Sequence, residues 1–129
     1  MDNLNIAGTP STPAIIADAT LGTVEMRGDS YPENSFELFS PVMTWIEQYF
    51  AEPEHNQHKL TLNLTLLYLN TSSVKAMMDI FDLLEDAHQS GRDVAVNWFY
   101  DEQNERVAEL AEEFKEDCSF PFHITSQVG

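Results

Sequence analysis

The sequence predicts an α/β fold: one domain built on a mixed open sheet of about five strands, with an N-terminal hairpin and about three main helices. Three observations carry this. Leu60, Leu62, Leu64 and Leu66 alternate with Thr61, Asn63 and Thr65, the period of a strand with one buried face. Val74, Met77, Met78, Phe81 and Leu84 then recur at helical spacing, and Gly91 stands where a left-handed helix end needs a residue without Cβ. The run 94–100, Val-Ala-Val-Asn-Trp-Phe-Tyr, follows. It is rich in β-branched and aromatic residues, and a strand separated from its neighbour by a helix of this length pairs in parallel. Trp98 and Tyr100 share one face of it, as core packing residues.

Taken in order, residues 1–12 are small and polar, with Pro10 and Pro13 bracketing Ser11 and Thr12, and are expected to form a flexible lead-in to the sheet. Residues 14–17 read as a strand, 18–22 as a turn, and 23–27 as the second strand of a hairpin ended by Gly28. The segment 28–35 is dense in turn formers and helix starters, and from Phe36 the positions Phe39, Val42, Met43, Ile46 and Phe50 mark the first core helix. Pro41 either kinks that helix or is the first residue of its main part, with Ser40 as cap. Residues 51–59 form a polar loop. His55 and His58 lie there three apart with Glu52 and Glu54 close by, but a loop fixes no ligand geometry, so no metal is expected. The third helix is placed at 101–115, capped by Asp101, with Val107, Leu110, Ala111 and Phe114 inward. Glu109, Glu112, Glu113, Glu116 and Asp117 crowd its negative end, a placement that suits either a solvated face or a basic partner. Residues 120–124 read as an edge strand, which tolerates Pro121.

A chain of 129 residues with 43% hydrophobic content is long enough to bury one proper core. Six basic residues against 22 acidic ones give a net charge of −16, which repels phosphate backbones and anionic lipid. Neither nucleic acid nor membrane is expected as a partner, and basic protein surfaces are favoured. Cys118 is the single cysteine, so no intrachain disulfide and no cysteine-based metal site can form, and it reads as a partly buried packing residue. No basic segment leads into a long apolar run, so a cytoplasmic location is expected. Gly-rich phosphate loops, Gly-x-Ser-x-Gly and His-Glu-x-x-His are all missing, which speaks against an enzyme and against a bound cofactor. His88 reads as a cation near a helix C-terminus rather than a base.

The informative stretch is 66–80, where an apolar strand runs through Asn70, Thr71, Ser72 and Ser73 directly into a helix. Such a junction lies at the carboxyl end of its strand, the edge where binding sites gather in open α/β sheets. The first helical amides lack backbone acceptors and carry the positive end of the helix dipole. A hydroxyl at this place caps the helix, and a phosphate is held by the same donors. Phosphorylation would add between one and two negative charges and alter the surface without melting the helix. Lys75 lies one turn beyond Thr71, placed to pair with a phosphate or a partner's acidic group, and Asp79 continues that face. Tyr31 is the kind of large amphipathic side chain enriched at interfaces.

Leu-Tyr-Leu-Asn-Thr-Ser-Ser at 67–73 with Lys-Ala-Met-Met-Asp behind it closely resembles the SiaC family of bacterial regulatory phosphoproteins. The segments 28–35, 104–110 and 117–122 are similar to the same family, so the resemblance spans nearly the whole chain. It implies a fold like that of the STAS domains of anti-sigma factor antagonists, acting as a partner switch. The phosphoacceptor would be Thr71, with Ser72 as alternative. A cognate protein kinase would phosphorylate it and a cognate phosphatase reverse the modification. The unphosphorylated form would bind and activate a diguanylate cyclase, controlling cyclic-di-GMP signalling and biofilm formation. Tyr31, Asn70, Ser72, Ser73, Lys75, Met78 and Asp79 are the expected partner-binding residues. Two alternatives stay open: an anti-sigma factor antagonist that binds an anti-sigma kinase, and a small enzyme using carboxylates and histidines. Oligomeric state is left open.

Overall fold

The computed structural model describes residues 1–53 and 58–127. The element order is β1 (Leu4–Ile6), β2 (Ala14–Asp18), β3 (Thr23–Ser30), α1 (Ser35–Ala51), β4 (Leu60–Leu69), α2 (Thr71–Gln89), β5 (Val94–Asp101), α3 (Glu105–Glu116) and β6 (Phe122–Gln127). The six strands lie in sequence order across one sheet. β1, β2 and β3 pair antiparallel, and β3 to β6 pair in parallel. Each helix therefore carries the chain one strand further in the same direction. Crossovers of that kind are right-handed as a rule, and three in one direction put their helices on the same face.

Side-chain burial agrees with this two-layer arrangement. Leu60, Leu62, Leu64 and Leu66 are fully buried and join Ile15, Val24, Met26, Val96 and Trp98 in one core with Phe39, Ile46, Met77, Ile80, Ala111 and Phe114 from the helices. Their alternates Thr61, Asn63 and Thr65 stay partly open on the other face, where Asn97 Nδ2 donates to Asn63 Oδ1 at 3.0 Å. The expected strand and helix periods are thus both present, on opposite walls of a single core.

Several boundaries differ from expectation. The sheet starts at Leu4, not Ala14: Leu4–Ile6 pairs with residues 15–17 as a sixth strand, although three residues are too short to show an alternation. Gly28 does not end β3. The strand runs on to Ser30 across an irregularity at Gly28/Asp29, where β4 carries one extra residue, Leu67. α1 is continuous from Ser35 through Pro41 and is capped by Asn34, so Ser40 is not its cap. Pro41 points to solvent there, and Trp45 and Tyr49 complete the buried stripe. α3 begins at Glu105 with Asn104 as cap, while the Asp101 carboxylate accepts from Gln103 N in the preceding turn. β6 runs from Phe122 to Gln127, so Pro121 precedes the strand instead of interrupting it. His55 and Glu54 lie outside the described residues.

Gly91 closes α2 as its position in the sequence predicts. Its φ is 90°, with Gly91 N donating to His88 O and Arg92 N to Ala87 O, both at 2.9 Å. These two bonds satisfy the last carbonyls of the helix.

Candidate functional site

The three crossover helices all start at the same sheet edge, and each is capped by an asparagine. Asn34 Oδ1 accepts from Glu37 N, Asn70 Oδ1 from Ser73 N and Asn104 Oδ1 from Val107 N. Carbonyl side chains at this position satisfy one of the otherwise orphaned amides. The edge also carries the carboxyl ends of four parallel strands, so it gathers three positive dipole ends beside the turn marked out by the sequence.

Within that turn, Asn70 is the organising residue. Its Oδ1 receives Ser73 N at 2.9 Å and the Ser72 hydroxyl at 3.2 Å, and its Nδ2 donates to Pro32 O at 3.3 Å. Asn70 N also donates to Ser30 O at 2.9 Å. Asparagine thus ties the end of β4 and the start of α2 to the β3–α1 loop. The expectation that the hydroxyls of Thr71, Ser72 and Ser73 cap the helix is corrected: the Asn70 side chain, one residue earlier, takes the Ser73 amide.

Relieved of capping, the three hydroxyls take different environments. Thr71 is the first helical residue and is exposed. Its hydroxyl has no hydrogen-bond partner among the described residues, and it is accessible to another protein. Ser73 is fully buried, so it does not reach a partner as expected from the sequence. Instead its Oγ lies 2.7 Å from Ser30 Oγ and 3.3 Å from Ser35 Oγ, and Ser35 Oγ lies 2.7 Å from Ser72 Oγ. Four serines from the end of β3, the start of α1 and the start of α2 form one connected set.

Several large apolar side chains are exposed on the elements that meet at this turn. Phe36 is 74% exposed and Tyr68 52%, and Tyr31, Leu67 and Met78 are also largely open to solvent. Tyr31 and Tyr68 meet edge to face with centroids 6.0 Å apart. Two open grooves flank the first turns of α2. The one toward α1 has a volume of about 310 Å³ and is lined by Phe36, Met43, Ser72, Lys75 and Asp79 among others. The one toward α3 has about 340 Å³ and takes Leu67, Tyr68, Val74, Arg106, Leu110 and Glu113 in its walls. Lys75 and Asp79 are therefore together, as their spacing requires, whereas Met78 faces the α3 side beside Phe81 and Cys118. An exposed apolar cluster with a polar rim is the usual character of a protein-docking surface.

Sequence reasoning missed Phe36, Leu67 and Tyr68 as parts of this surface, and Ser30 and Ser35 as parts of the serine set. A signal existed for the strand residues. Leu66-Leu67-Tyr68-Leu69 breaks the alternation of β4, and the extra residue at Leu67 turns both Leu67 and Tyr68 outward while Leu69 returns to the core. Nothing comparable marks Ser30 and Ser35, whose partners are 37 to 43 positions away.

Elsewhere the titratable groups serve packing. The Cys118 thiol is half-buried, donates to Phe114 O at 3.3 Å, and is pushed up to about 11 by burial and then by Glu85, Asp117 and Asp82. Glu85 is held below its ordinary carboxylate value, chiefly by the Ser119 amide, which donates to it at 2.7 Å. Among the described residues no group of three or more His, Cys, Asp or Glu side chains could hold a metal ion, and no helix is long and apolar enough to cross a membrane.

Comparison with known proteins places this geometry in a lineage. An uncharacterized protein of Pseudomonas aeruginosa (strain UCBPP-PA14) is 63% identical over 124 residues, which are 96% of each chain. The crystal structure of apo-SiaC from Pseudomonas aeruginosa superposes with a TM-score of 0.91 at 61% identity, covering 97% of this chain and 99% of that one. A second solved structure, the diguanylate cyclase SiaD of Pseudomonas aeruginosa in complex with its activator SiaC, matches with a TM-score of 0.91 at 62% identity over 96% of this chain and 99% of the other. A family model described as SiaC family regulatory phosphoprotein matches residues 6–127. With both the sequence and the fold in agreement over nearly its whole length, the chain belongs to the SiaC family of regulatory phosphoproteins.

Proposed function

We propose that this protein is a non-enzymatic partner switch whose unphosphorylated form binds and activates a diguanylate cyclase. A cognate protein kinase phosphorylates Thr71 to release the cyclase, and a cognate phosphatase restores binding. The observation that carries the reading is the exposed Thr71 hydroxyl, outside the helix cap and the serine set, at the turn that follows the exposed Leu67 and Tyr68. The similarity to a SiaC solved as the activator of a diguanylate cyclase supports the choice of partner.

The physics of the switch follows from that placement. A phosphate brings nearly two negative charges and three strong acceptors to a surface built of Tyr31, Phe36, Leu67, Tyr68 and Met78. If a partner covers it, one uncompensated buried charge costs about 3–5 kcal/mol. That is enough to turn a micromolar complex into an insignificant one. In the free protein the same phosphate is well tolerated, because the amides of Thr71 and Ser72 stand at the positive end of α2. Phosphorylation therefore changes binding while leaving the fold in place. Lys75 and Asp79, with Asn70 and Ser72 at the rim, supply the polar edge of the docking surface.

The test compares Thr71→Ala and Thr71→Glu in binding to the cyclase and in cyclic-di-GMP production. Alanine is expected to keep both, and glutamate to weaken binding by about tenfold or more. Equal binding by the two variants and the wild type would show that Thr71 does not control the complex.

A further inference from the structure

The set of four serines explains which hydroxyl the kinase can use. We infer that Ser35 is a positioning residue that directs phosphorylation to Thr71 by holding Ser72 in place; this rests on the reading of Thr71 as acceptor given above. The direction of the hydrogen bonds can be read from their terminus. Asn70 Oδ1 only accepts, so the bond at 3.2 Å uses the Ser72 proton. Ser72 Oγ must then accept from Ser35 at 2.7 Å, Ser35 Oγ from Ser73 at 3.3 Å, and Ser73 Oγ from Ser30 at 2.7 Å. Each hydroxyl donates once, and the chain runs Ser30, Ser73, Ser35, Ser72, Asn70.

Phosphoryl transfer makes two demands on the acceptor. Its oxygen must turn a lone pair toward the γ-phosphorus of the nucleoside triphosphate held by the kinase, and its proton must reach the kinase's base. The Oγ–P bond forms as the bond from that phosphorus to the β,γ-bridging oxygen breaks, and the nucleoside diphosphate leaves. Ser72 Oγ keeps one lone pair, but its proton is committed to Asn70 and its orientation is fixed by Ser35, so it gives up its proton and turns to a kinase only at the cost of hydrogen bonds. Thr71, one residue earlier, has its hydroxyl unengaged. Two adjacent hydroxyls of similar chemistry are thereby made unequal by a residue 37 positions away.

Ser35 is the informative member because it is not itself a cap: Asn34 caps α1. Ser35→Ala removes the donor to Ser72 and keeps the helix start. Ser30→Ala removes an equally buried hydroxyl at the far end of the chain and leaves the Ser35–Ser72 bond intact. Wild type, both variants and Ser35→Thr, which restores the hydroxyl, would be produced in the cells that encode the protein and its kinase. The ratio of phosphate on Ser72 to phosphate on Thr71 would be mapped by tandem mass spectrometry on protein whose melting temperature has been checked.

Ser35→Ala is expected to raise that ratio by about fivefold, the worth of one ordinary hydrogen bond. Ser30→Ala should leave it unchanged, and Ser35→Thr should return it toward the wild-type value. A ratio that rises equally in Ser30→Ala and Ser35→Ala would mean general loosening and would overturn the inference. So would a ratio indifferent to Ser35 while Thr71 remains phosphorylated, and in that case the switch at Thr71 stands. Wild-type protein without phosphate on Thr71 would remove both.

Discussion

Replacing Asn70 by alanine tests the residue on which the whole α2 entrance depends. The substitution deletes the cap to Ser73 N, the acceptor of the Ser72 hydroxyl and the donor to Pro32 O. Loss of an N-cap costs about 1 kcal/mol, and because Ser73 is buried its amide gains no water in exchange. The two longer bonds, at 3.2 and 3.3 Å, add about 0.5 kcal/mol each at most. The sum is about 2 kcal/mol, or a fall in melting temperature of about 6 °C for a domain of this size. Asn70→Asp keeps the acceptor and places a charge at the favourable end of the helix dipole, losing only the bond to Pro32, so its stability should lie within about 1 kcal/mol of wild type. Urea unfolding followed by circular dichroism measures both. A loss below about 0.5 kcal/mol for alanine, or equal losses for alanine and aspartate, would show that the cap is not what holds this turn. The aspartate variant also sets a negative charge beside Thr71 on an intact fold, so under the proposed switch it should weaken cyclase binding in the same sense as Thr71→Glu.

Other consequences follow from particular positions. Gly22 and Gly91 both have positive φ, 68° and 90°, but a Cβ at Gly22 would overlap the Lys59 carbonyl oxygen, whereas one at Gly91 meets nothing within 4 Å. In thermal melts Gly91→Ala should cost about 1 kcal/mol from backbone strain alone, and Gly22→Ala at least about 2 kcal/mol. Pro41 is exposed inside α1 and withholds one helical hydrogen bond, so Pro41→Ala should stabilise the protein by about 1–2 kcal/mol in urea titration. Cys118, raised from 9.0 to about 11 by burial first and neighbouring carboxylates second, keeps its proton in the folded state after the unfolded thiol has lost it. Its contribution to stability is fully present below pH 9.0 and is lost as pH rises toward 11. Below pH 9, iodoacetamide should therefore modify Cys118 about a hundredfold more slowly in folded than in unfolded protein.

Local pattern was enough for much of the architecture. The alternation of Leu60 to Leu66 specified β4 and its buried face, the apolar spacing from Val74 to Leu84 specified α2, and Gly91 specified where it stops. These signals are legible because a strand of period two or a helix of period 3.6 writes its solvent boundary directly into consecutive residues. With a helix between them, the strands around it could pair only in parallel, so the placement of Thr71 at a carboxyl-end turn also followed from the chain alone. Motifs spread over the chain carried the family as well.

Tertiary structure decided what lies around that threonine. β1 is too short to have a period. Which residue caps a helix depends on whether Asn70, Asn34 or Asn104 can turn its amide inward, a choice that propensity leaves open because Asn, Asp and Ser cap about equally well. The meeting of Tyr31 with Tyr68, and of Ser30 and Ser35 with Ser73 and Ser72, joins residues 37 to 43 positions apart. Sequence periodicity states which face of an element is covered and says nothing about which element covers it. Only the order of strands in the sheet brings the end of β3 and the start of α1 against the first turn of α2, leaving Thr71 free and Ser72 held.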